Sequence, residues 1–517
     1  MKTRTVLESV GAALLLLPYY LPLLLASNLP LYHHGLPVTN LIGGLFVDLL
    51  GVAILMLGFL IAIQYLPSTF QRILHALFAG FMIWRIVDIA ITLLITSDYP
   101  VFWWGYVRNQ SRIAVPLLSG ILAYFLPRIT QPAVRAVRLV IASFAFSALW
   151  IVPQLLHIAL VRQIDGSAAF NHPPGSSHSG SKHRIVWILF DELSYEQTFD
   201  HPAAGIELPN FDRLRTESIS FSNLKPAGFY TERIIPSLFL GRRIDHIRST
   251  IHGDLWYKDE SQNRWLAYDP NSTLFALAKR NGWISGVDGW YNPYCHILAS
   301  ALNVCSWEPY GSANLQTEAY GASEDKSILA NAATLPNMLL AKLTNGKRDA
   351  GNAHVQEYRN VMARARGLID NDQVNFVFLH IPAPHPPGIY DRQRHTLRSG
   401  GTYLDNLVLA DDTLGALLKD IDATPSASRT TVIVSSDHSW RIPLWKPADW
   451  SAEEERASGG RFDDRPVLLI HFPGQNSEND VSSAQPELLE HDIIAGMLLG
   501  NLNNFDDLAA WVKKYGR

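Results

Sequence analysis

The sequence predicts two structural classes in one chain: an N-terminal bundle of five transmembrane helices, then an α/β sandwich with a mostly parallel central sheet. Three observations predict this. Almost all of the long apolar runs lie before residue 162. From residue 183, short apolar runs of strand length alternate with amphipathic stretches, the pattern of a sheet covered by helices. Between the two, residues 163–182 (QIDGSAAFNHPPGSSHSGSK) are rich in Gly, Ser and Pro and have no periodic apolar face, so they read as a flexible linker. The expected domains are therefore 1–162 transmembrane, 163–182 linker and 183–517 extracytoplasmic. A chain of 517 residues is also too long for one ordinary core.

Taking the elements in order, five segments near 6–26, 41–65, 73–97, 112–127 and 137–160 approach the length needed to cross a hydrocarbon layer of roughly 30 Å. A cleaved signal peptide could account for the first but not for the four that follow. Lys2 and Arg4 precede the first segment, Arg72 lies between the second and third, and Arg128, Arg135 and Arg138 fall around the junction of the fourth and fifth. The alternate side holds only Arg108 and Arg112. The excess of basic residues predicts a cytoplasmic N-terminus, and five crossings leave everything after residue 162 outside. The aromatic stretch YPVFWWGY (99–106) would then lie at the outer interface.

Charges inside apolar spans need partners, because an unpaired charge in hydrocarbon is costly. Asp48, Arg85 and Asp88 are such residues, and Arg85 and Asp88 are spaced to meet on one helical face. Cys295 and Cys305 are the only cysteines, and outside the cytoplasm they are expected to form a disulfide closing CHILASALNVC. A net charge of −4 gives no support to a nucleic-acid-binding surface.

In the second part, RIVWILF (184–190), VNFVFLHI (374–381), TTVIVSS (430–436) and PVLLIHF (466–472) read as buried strands. Helices are expected around 209–217, 232–240, 272–281, 354–369, 405–421 and 486–499. In an open α/β sheet, ligands bind beyond the carboxyl ends of parallel strands. Asp191-Glu192 follows the first run, the second contains His380 and is followed by His385, and Asp437-His438 follows the third, so all would converge on one edge.

Each pair has its own chemistry. Asp191-Glu192 offers hard oxygen ligands for a divalent cation, although an isolated Asp-Glu also suits a helix cap or a solvated loop. Asp437-His438 combines a carboxylate and an imidazole, a set suited to Mn²⁺ or Zn²⁺. HIPAPHPP (380–387) holds two histidines on a proline-stiffened, non-helical loop, where they could contact an anionic oxygen or a leaving group, or serve only a turn. In GFYTERIIPSLFLG (228–241), Thr231 could simply cap a helix. With metal ligands before and after it in the chain, its hydroxyl could instead be an activated nucleophile at a helix N-terminus that favours phosphate or sulfate.

Taken together, strand-Asp-Glu, a Thr-led helix with Pro five and Gly ten residues on, His-x-x-x-x-His-Pro and strand-Ser-Asp-His resemble the sulfatase and alkaline phosphatase superfamily over roughly residues 183–500. With five preceding spans, the chain looks most like membrane-anchored lipoteichoic acid synthases, phosphoglycerol transferases and lipid A phosphoethanolamine transferases. That resemblance implies a metal shell of Asp191, Thr231, Asp437 and His438, with Glu192 beside it. It also implies a divalent ion (Mn²⁺, Zn²⁺ or Mg²⁺), Thr231 as the residue that takes the phospho group, and His380 and His385 facing the substrate. Trp290, in GVDGWYNPYC, matches a region of substrate-contacting aromatics.

Two departures qualify the match. Sulfatases use Cys or Ser in a Cys-x-Pro-x-Arg context, whereas this chain has Thr231-Glu232-Arg233, which argues against sulfate hydrolysis. Where related transferases often carry a late histidine, RFDDRPVLLI has Arg465, and Arg465 or Lys446 could supply positive charge to a phosphate instead. The implied reaction moves phosphoglycerol or phosphoethanolamine from a phospholipid donor to an envelope glycan or lipid, in a bacterial-type cytoplasmic membrane. A membrane-anchored phosphoric or sulfuric ester hydrolase is the alternative enzyme, and a catalytically silent envelope-binding protein is the alternative of another class.

Overall fold

The computed structural model describes residues 3–24, 37–94, 102–161, 169–171, 183–250, 254–309, 322–336, 350–446 and 450–515. These fall into two compact units. The first draws on Met1–Ala26, Leu36–Gln163 and Leu315–Gly346, and the second on the remainder.

The first unit contains α1 (Thr3–Leu16), α2 (Thr39–Ile63), α3 (Ser68–Leu94), α4 (Phe102–Phe125), α5 (Pro127–Phe144) and α6 (Ala148–Val161). Three stretches are long and apolar enough to cross a membrane: Thr39–Ile63, Ser68–Ile91, and Pro127–Val161, which runs through α5, a 3-10 turn and α6. Among the described residues these three match the second, third and fifth of the five expected spans. At 14 residues α1 is only about 21 Å long at 1.5 Å per residue, and α4 carries Arg108 and Arg112 in its first half and Pro116 in its interior. The junction expected at 128–136 is helical as well: Pro127, which has no amide hydrogen to lose, opens α5, and Arg128, Arg135 and Arg138 ride on that helix. Of the aromatic stretch 99–106, residues 99–101 lie outside the described residues and 102–106 begin α4.

Large apolar side chains such as Leu50, Leu55, Ile113, Leu149 and Trp150 face outward from this unit, the reverse of a water-soluble bundle. Two of its internal acids are paired, while Asp48, buried on α2, has no ion pair among the described residues. Asp88 takes Arg85 at 2.6 Å and Arg108 at 2.7 Å, and Glu8 takes Arg4 at 2.8 Å and Arg138 at 2.7 Å. One element comes from far along the chain. The Glu324 carboxylate accepts hydrogen bonds from the Asn40 and Leu41 amides, satisfying first-turn donors of α2 that no capping side chain reaches. A short helix, Ile328–Ala332, follows against α2 at Gly43 and Gly44, where a Cβ on Gly44 would sit 2.7 Å from that of Asn331.

The second unit is built on a nine-stranded sheet. Its strands are β1 (Ala169–Asn171), β2 (Arg184–Phe190), β3 (Ile219–Phe221), β4 (Ser285–Trp290), β5 (Val304–Glu308), β6 (Phe376–Ile381), β7 (Thr430–Ser436), β8 (Leu468–His471) and β9 (Asn479–Val481). The order is β1-β5-β4-β6-β2-β7-β8-β3-β9. The central run β5-β4-β6-β2-β7 is parallel, while β1 and β8 run the other way. Ala169–Asn171 lies within the stretch 163–182, most of which is outside the described residues.

Strand β2 explains why its sequence is apolar without alternation. Ile185, Trp187 and Leu189 enter one core, and Val186, Ile188 and Phe190 enter the core on the opposite face. The first core is covered by α7 (Thr231–Leu240), through Ile234, Ile235, Leu238 and Phe239, and by residues of the helix Leu489–Leu498. The second is covered by α8 (Ala350–Ile369) and α9 (Tyr403–Asp422). The result is an α/β sandwich in which β2, β6 and β7 end side by side. A disulfide joins Cys295 to Cys305 with Cα atoms 5.5 Å apart, as the sequence suggested.

Candidate metal centre

Parallel register brings the predicted residues together. Phe190 of β2 is level with Ile381 of β6 and Ser436 of β7, so Asp191, the 380–387 loop and Asp437-His438 leave the sheet at one level. Helix α7 begins there with Thr231 at its first position, after an extended Tyr230, and ends at Gly241 in the left-handed conformation that favours glycine.

Thr231 Oγ1 lies 3.2 Å from His438 Nε2 and 3.4 Å from Asp191 Oδ2. His438 Nε2 is 3.1 Å from Asp437 Oδ2 and 3.8 Å from Asp191 Oδ1. Ligand atoms of Asp191, Glu192 and His438 all lie within 4.8 Å of one another. All five side chains are buried. The Ser439 carbonyl accepts from His438 Nδ1–H at 3.0 Å, which leaves the Nε2 lone pair directed toward Thr231 and the carboxylates.

Sequence reasoning missed the cation of this site. Arg441, buried, donates from its backbone amide to Glu192 Oε1 at 2.7 Å and from Nη2 to Glu192 Oε2 at 3.2 Å, and Trp445 Nε1 adds a bond of 2.7 Å to Oε1. Glu192 itself sits at φ +70°, an uncommon conformation for a residue with a side chain. Its oxygens are thus committed to Arg441 and Trp445, which favours Asp191, Asp437, His438 and Thr231 as the ligand set and leaves Glu192 at its margin. The signal for Arg441 was an Arg three residues beyond His438 in DHSWR, since three buried carboxylates require a fixed positive charge nearby.

The residues present fit a divalent cation. Asp191 Oδ1 and Asp437 Oδ2 are buried without a hydrogen-bond partner, which is expensive unless a cation takes them. Asp191, Glu192 and Asp437 against Arg441 leave two negative charges uncompensated, the charge that a divalent ion matches. Burial, reinforced by Asp437, holds the Asp191 carboxyl well above its usual range. Burial also acts to raise Asp437, but the adjoining His438 overrides it and leaves this carboxyl below the ordinary range. Burial and Arg441 oppose charge on His438, and Asp437 with Asp191 outweigh them and raise it.

His380 and His385 differ in what they touch. His380 donates from Nε2 to Asp191 Oδ2 at 3.1 Å and accepts from the Tyr294 hydroxyl at Nδ1, 2.7 Å away. Burial pushes this ring down to about 4, so it is neutral and orients Asp191. His385 is also held well below its usual value by burial and by Arg441, with its Nε2 3.8 Å from Glu192. Its ring packs edge to face on Trp290 and Trp445.

Trp290 is fully buried and donates to Glu357 at 2.9 Å, so it supports the histidine loop from behind. His354 joins this support through Glu357 and through the carbonyls of Pro382 and His385. Lys446 pairs instead with Glu455 at 2.7 Å, and Arg465 with Asp200 at 2.6 Å and Asp463 at 2.7 Å. Among the described residues the structure brings neither of these two cations into contact with the cluster.

A family model described as Sulfatase matches residues 183–498, more than half of the chain, and the chain belongs to this family. No curated protein matches. Solved structures similar to it include a protein in the alkaline phosphatase superfamily from Vibrio parahaemolyticus, at 13% identity, covering 62% of this chain and 67% of that one, with TM-score 0.37. The phosphonate monoester hydrolase of Agrobacterium radiobacter follows at 14% identity, 61% and 73% coverage and TM-score 0.36. Murine ectonucleotide pyrophosphatase/phosphodiesterase 5 stands at 12% identity, 61% and 95% coverage and TM-score 0.35.

Proposed function

We propose that this chain is a membrane-anchored phosphotransferase that moves a phospholipid headgroup, phosphoglycerol or phosphoethanolamine, through a phospho-threonine at Thr231 to an envelope glycan or lipid. The observation that carries the reading is Thr231 Oγ1 at the first position of α7, within 3.4 Å of both Asp191 and His438. Asp191, Thr231, Asp437 and His438 would hold Mn²⁺, Zn²⁺ or Mg²⁺. When bound, the ion lowers the pKa of the Thr231 hydroxyl and polarises the phosphoryl group.

The protein's own residues set the geometry. Tyr294 fixes His380, His380 fixes Asp191, and the Ser439 carbonyl fixes the His438 ring. The N-terminus of α7 favours the anionic phosphate. A Thr231 Oγ1–P bond forms as the bond from phosphorus to the diacylglycerol oxygen breaks, and the proton lost by threonine balances the proton gained by diacylglycerol. An acceptor hydroxyl then displaces Thr231 from phosphorus. Three apolar helices in the same chain support a lipid donor, because anchoring raises its effective concentration at the site.

We also propose that α1 and α4 complete a five-pass bundle, with the catalytic part outside the cytoplasmic membrane. The basic-residue distribution supports this.

The test is intact mass of the metal-loaded protein after incubation with phosphatidylglycerol or phosphatidylethanolamine, beside Thr231→Ala. A headgroup-sized gain that the variant lacks is expected and names the donor. No adduct, together with phosphate or sulfate released from a soluble ester, would replace transfer with hydrolysis, a reading that the family match also accommodates. Full cellular function in Thr231→Ala would sink the covalent mechanism and leave a binding role.

A further inference from the structure

A cavity of about 530 Å³ lies wholly within the first unit, between the start of α3, the end of α4 and the body of α5. Arg72, His75, Arg135 and Arg138 line it, with Gln71 and Gln131 as neutral hydrogen-bonding groups. Its volume falls in the range of about 300–1,000 Å³ common for small-molecule sites.

The charges around it do not cancel. Glu8 is the acid nearby, and it is fully buried and already shared by Arg4 and Arg138. Among the described residues Arg72 donates to neutral oxygens, those of Ser68 and Thr69. Among the described residues neither Arg72 nor Arg135 pairs with a carboxylate. Arginines that served only to orient the helices could splay into water, whereas these converge on a concavity, and guanidinium groups suit phosphate oxygens in pairs.

A second observation bears on where the phosphate comes from. Phe70 on α3, Leu126 at the junction of α4 and α5, and Ile129 on α5 stand exposed within a few residues of the lining. An apolar rim beside a basic pocket between membrane helices matches a headgroup with acyl chains attached. We propose that this cavity is a binding site for the phosphate-bearing headgroup of an anionic phospholipid. It lies on the face carrying Arg4, Arg72 and Arg135, which the basic-residue rule assigns to the cytoplasmic side. It shares no residue with the Thr231 centre, and its test does not depend on turnover.

The full-length protein in mild detergent is titrated with phosphatidylglycerol, with phosphatidylcholine, and with inorganic phosphate, and bound species are counted by native mass spectrometry. Phosphatidylglycerol is expected to bind, and Arg72→Gln with Arg135→Gln to weaken it by about fivefold each, roughly 30-fold together. Both side chains reach the surface or the cavity wall, so circular dichroism and the thermal transition of the double variant should match the parent. Equal retention of phosphatidylcholine, or phosphatidylglycerol binding unchanged in the double variant, would overturn the proposal. Binding of inorganic phosphate alone, lost in the variant, would overturn the lipid assignment in favour of a soluble phosphate ligand.

Discussion

Replacing Arg441 by Met should destabilise the second unit far more than an average substitution. The Nη2 to Oε2 separation of 3.2 Å corresponds to about 5 kcal/mol of attraction at an effective dielectric of about 20. Breaking a buried ion pair by removing one partner costs about 3–5 kcal/mol, because the other charge is left uncompensated. At about 2 °C per kcal/mol for a unit of this size, the unfolding transition should fall by roughly 6–10 °C. The pair is the cause, so Glu192→Gln combined with Arg441→Met should return to within about 1 kcal/mol of the parent, giving a coupling of at least about 2 kcal/mol. The assay is thermal unfolding of the full chain in detergent, followed by tryptophan fluorescence, for the parent, both single variants and the double variant. A loss below about 1 kcal/mol in Arg441→Met, or additive single effects, would refute the assignment of Arg441 as the charge that holds Glu192.

A divalent ion at a hundredfold excess over its dissociation constant should stabilise the second unit by about 2.7 kcal/mol, and a chelator should reverse the shift. His438→Gln should abolish that response, as measured by thermal shift with Mn²⁺ and Zn²⁺. Glu490, buried and pushed up to about 8 by burial, makes a pH prediction with a definite sign. A carboxyl raised above its unfolded value contributes stability below about 4.5 that is lost as pH rises through 8, up to about 5 kcal/mol in all. Glu490→Gln should therefore flatten the fall in unfolding temperature between pH 5 and pH 9, and an unchanged slope would show that other groups cause it.

The sheet was legible where strands are long and buried on both faces. RIVWILF and TTVIVSS coincide with β2 and β7 because a strand buried on both faces carries consecutive apolar residues, IVWILF and VIV, without alternation. The strands β1, β3 and β9 have three residues each, too few to carry a period, and PVLLIHF gave no indication that β8 runs antiparallel. At the site, Asp191, Thr231, His380, Asp437 and His438 could be read because each lies at or just after a strand end or opens a helix. Tyr294 and His354 could not, because their partners, His380 and the Pro382 carbonyl, lie 86 and 28 residues away, and the one signal for Arg441 was its place three residues after His438. For Lys446 and Arg465 the sequence did not show the carboxylates, Glu455 and Asp463, that stand beside them.

The Glu324 cap on α2 also bears on the order of biosynthesis. The Asn40 amide waits for an acceptor 284 residues further along. At roughly 5–20 residues per second, that is about 15–60 s of translation after the start of the helix has been made. The amides that open this membrane helix therefore lack this partner until nearly half of the stretch 183–517 has followed. A chain stopped near residue 162 would keep its apolar helices yet lose the carboxylate that finishes one of them. The first unit is thus completed only by a segment, Leu315–Gly346, that is made after the first part of the second unit.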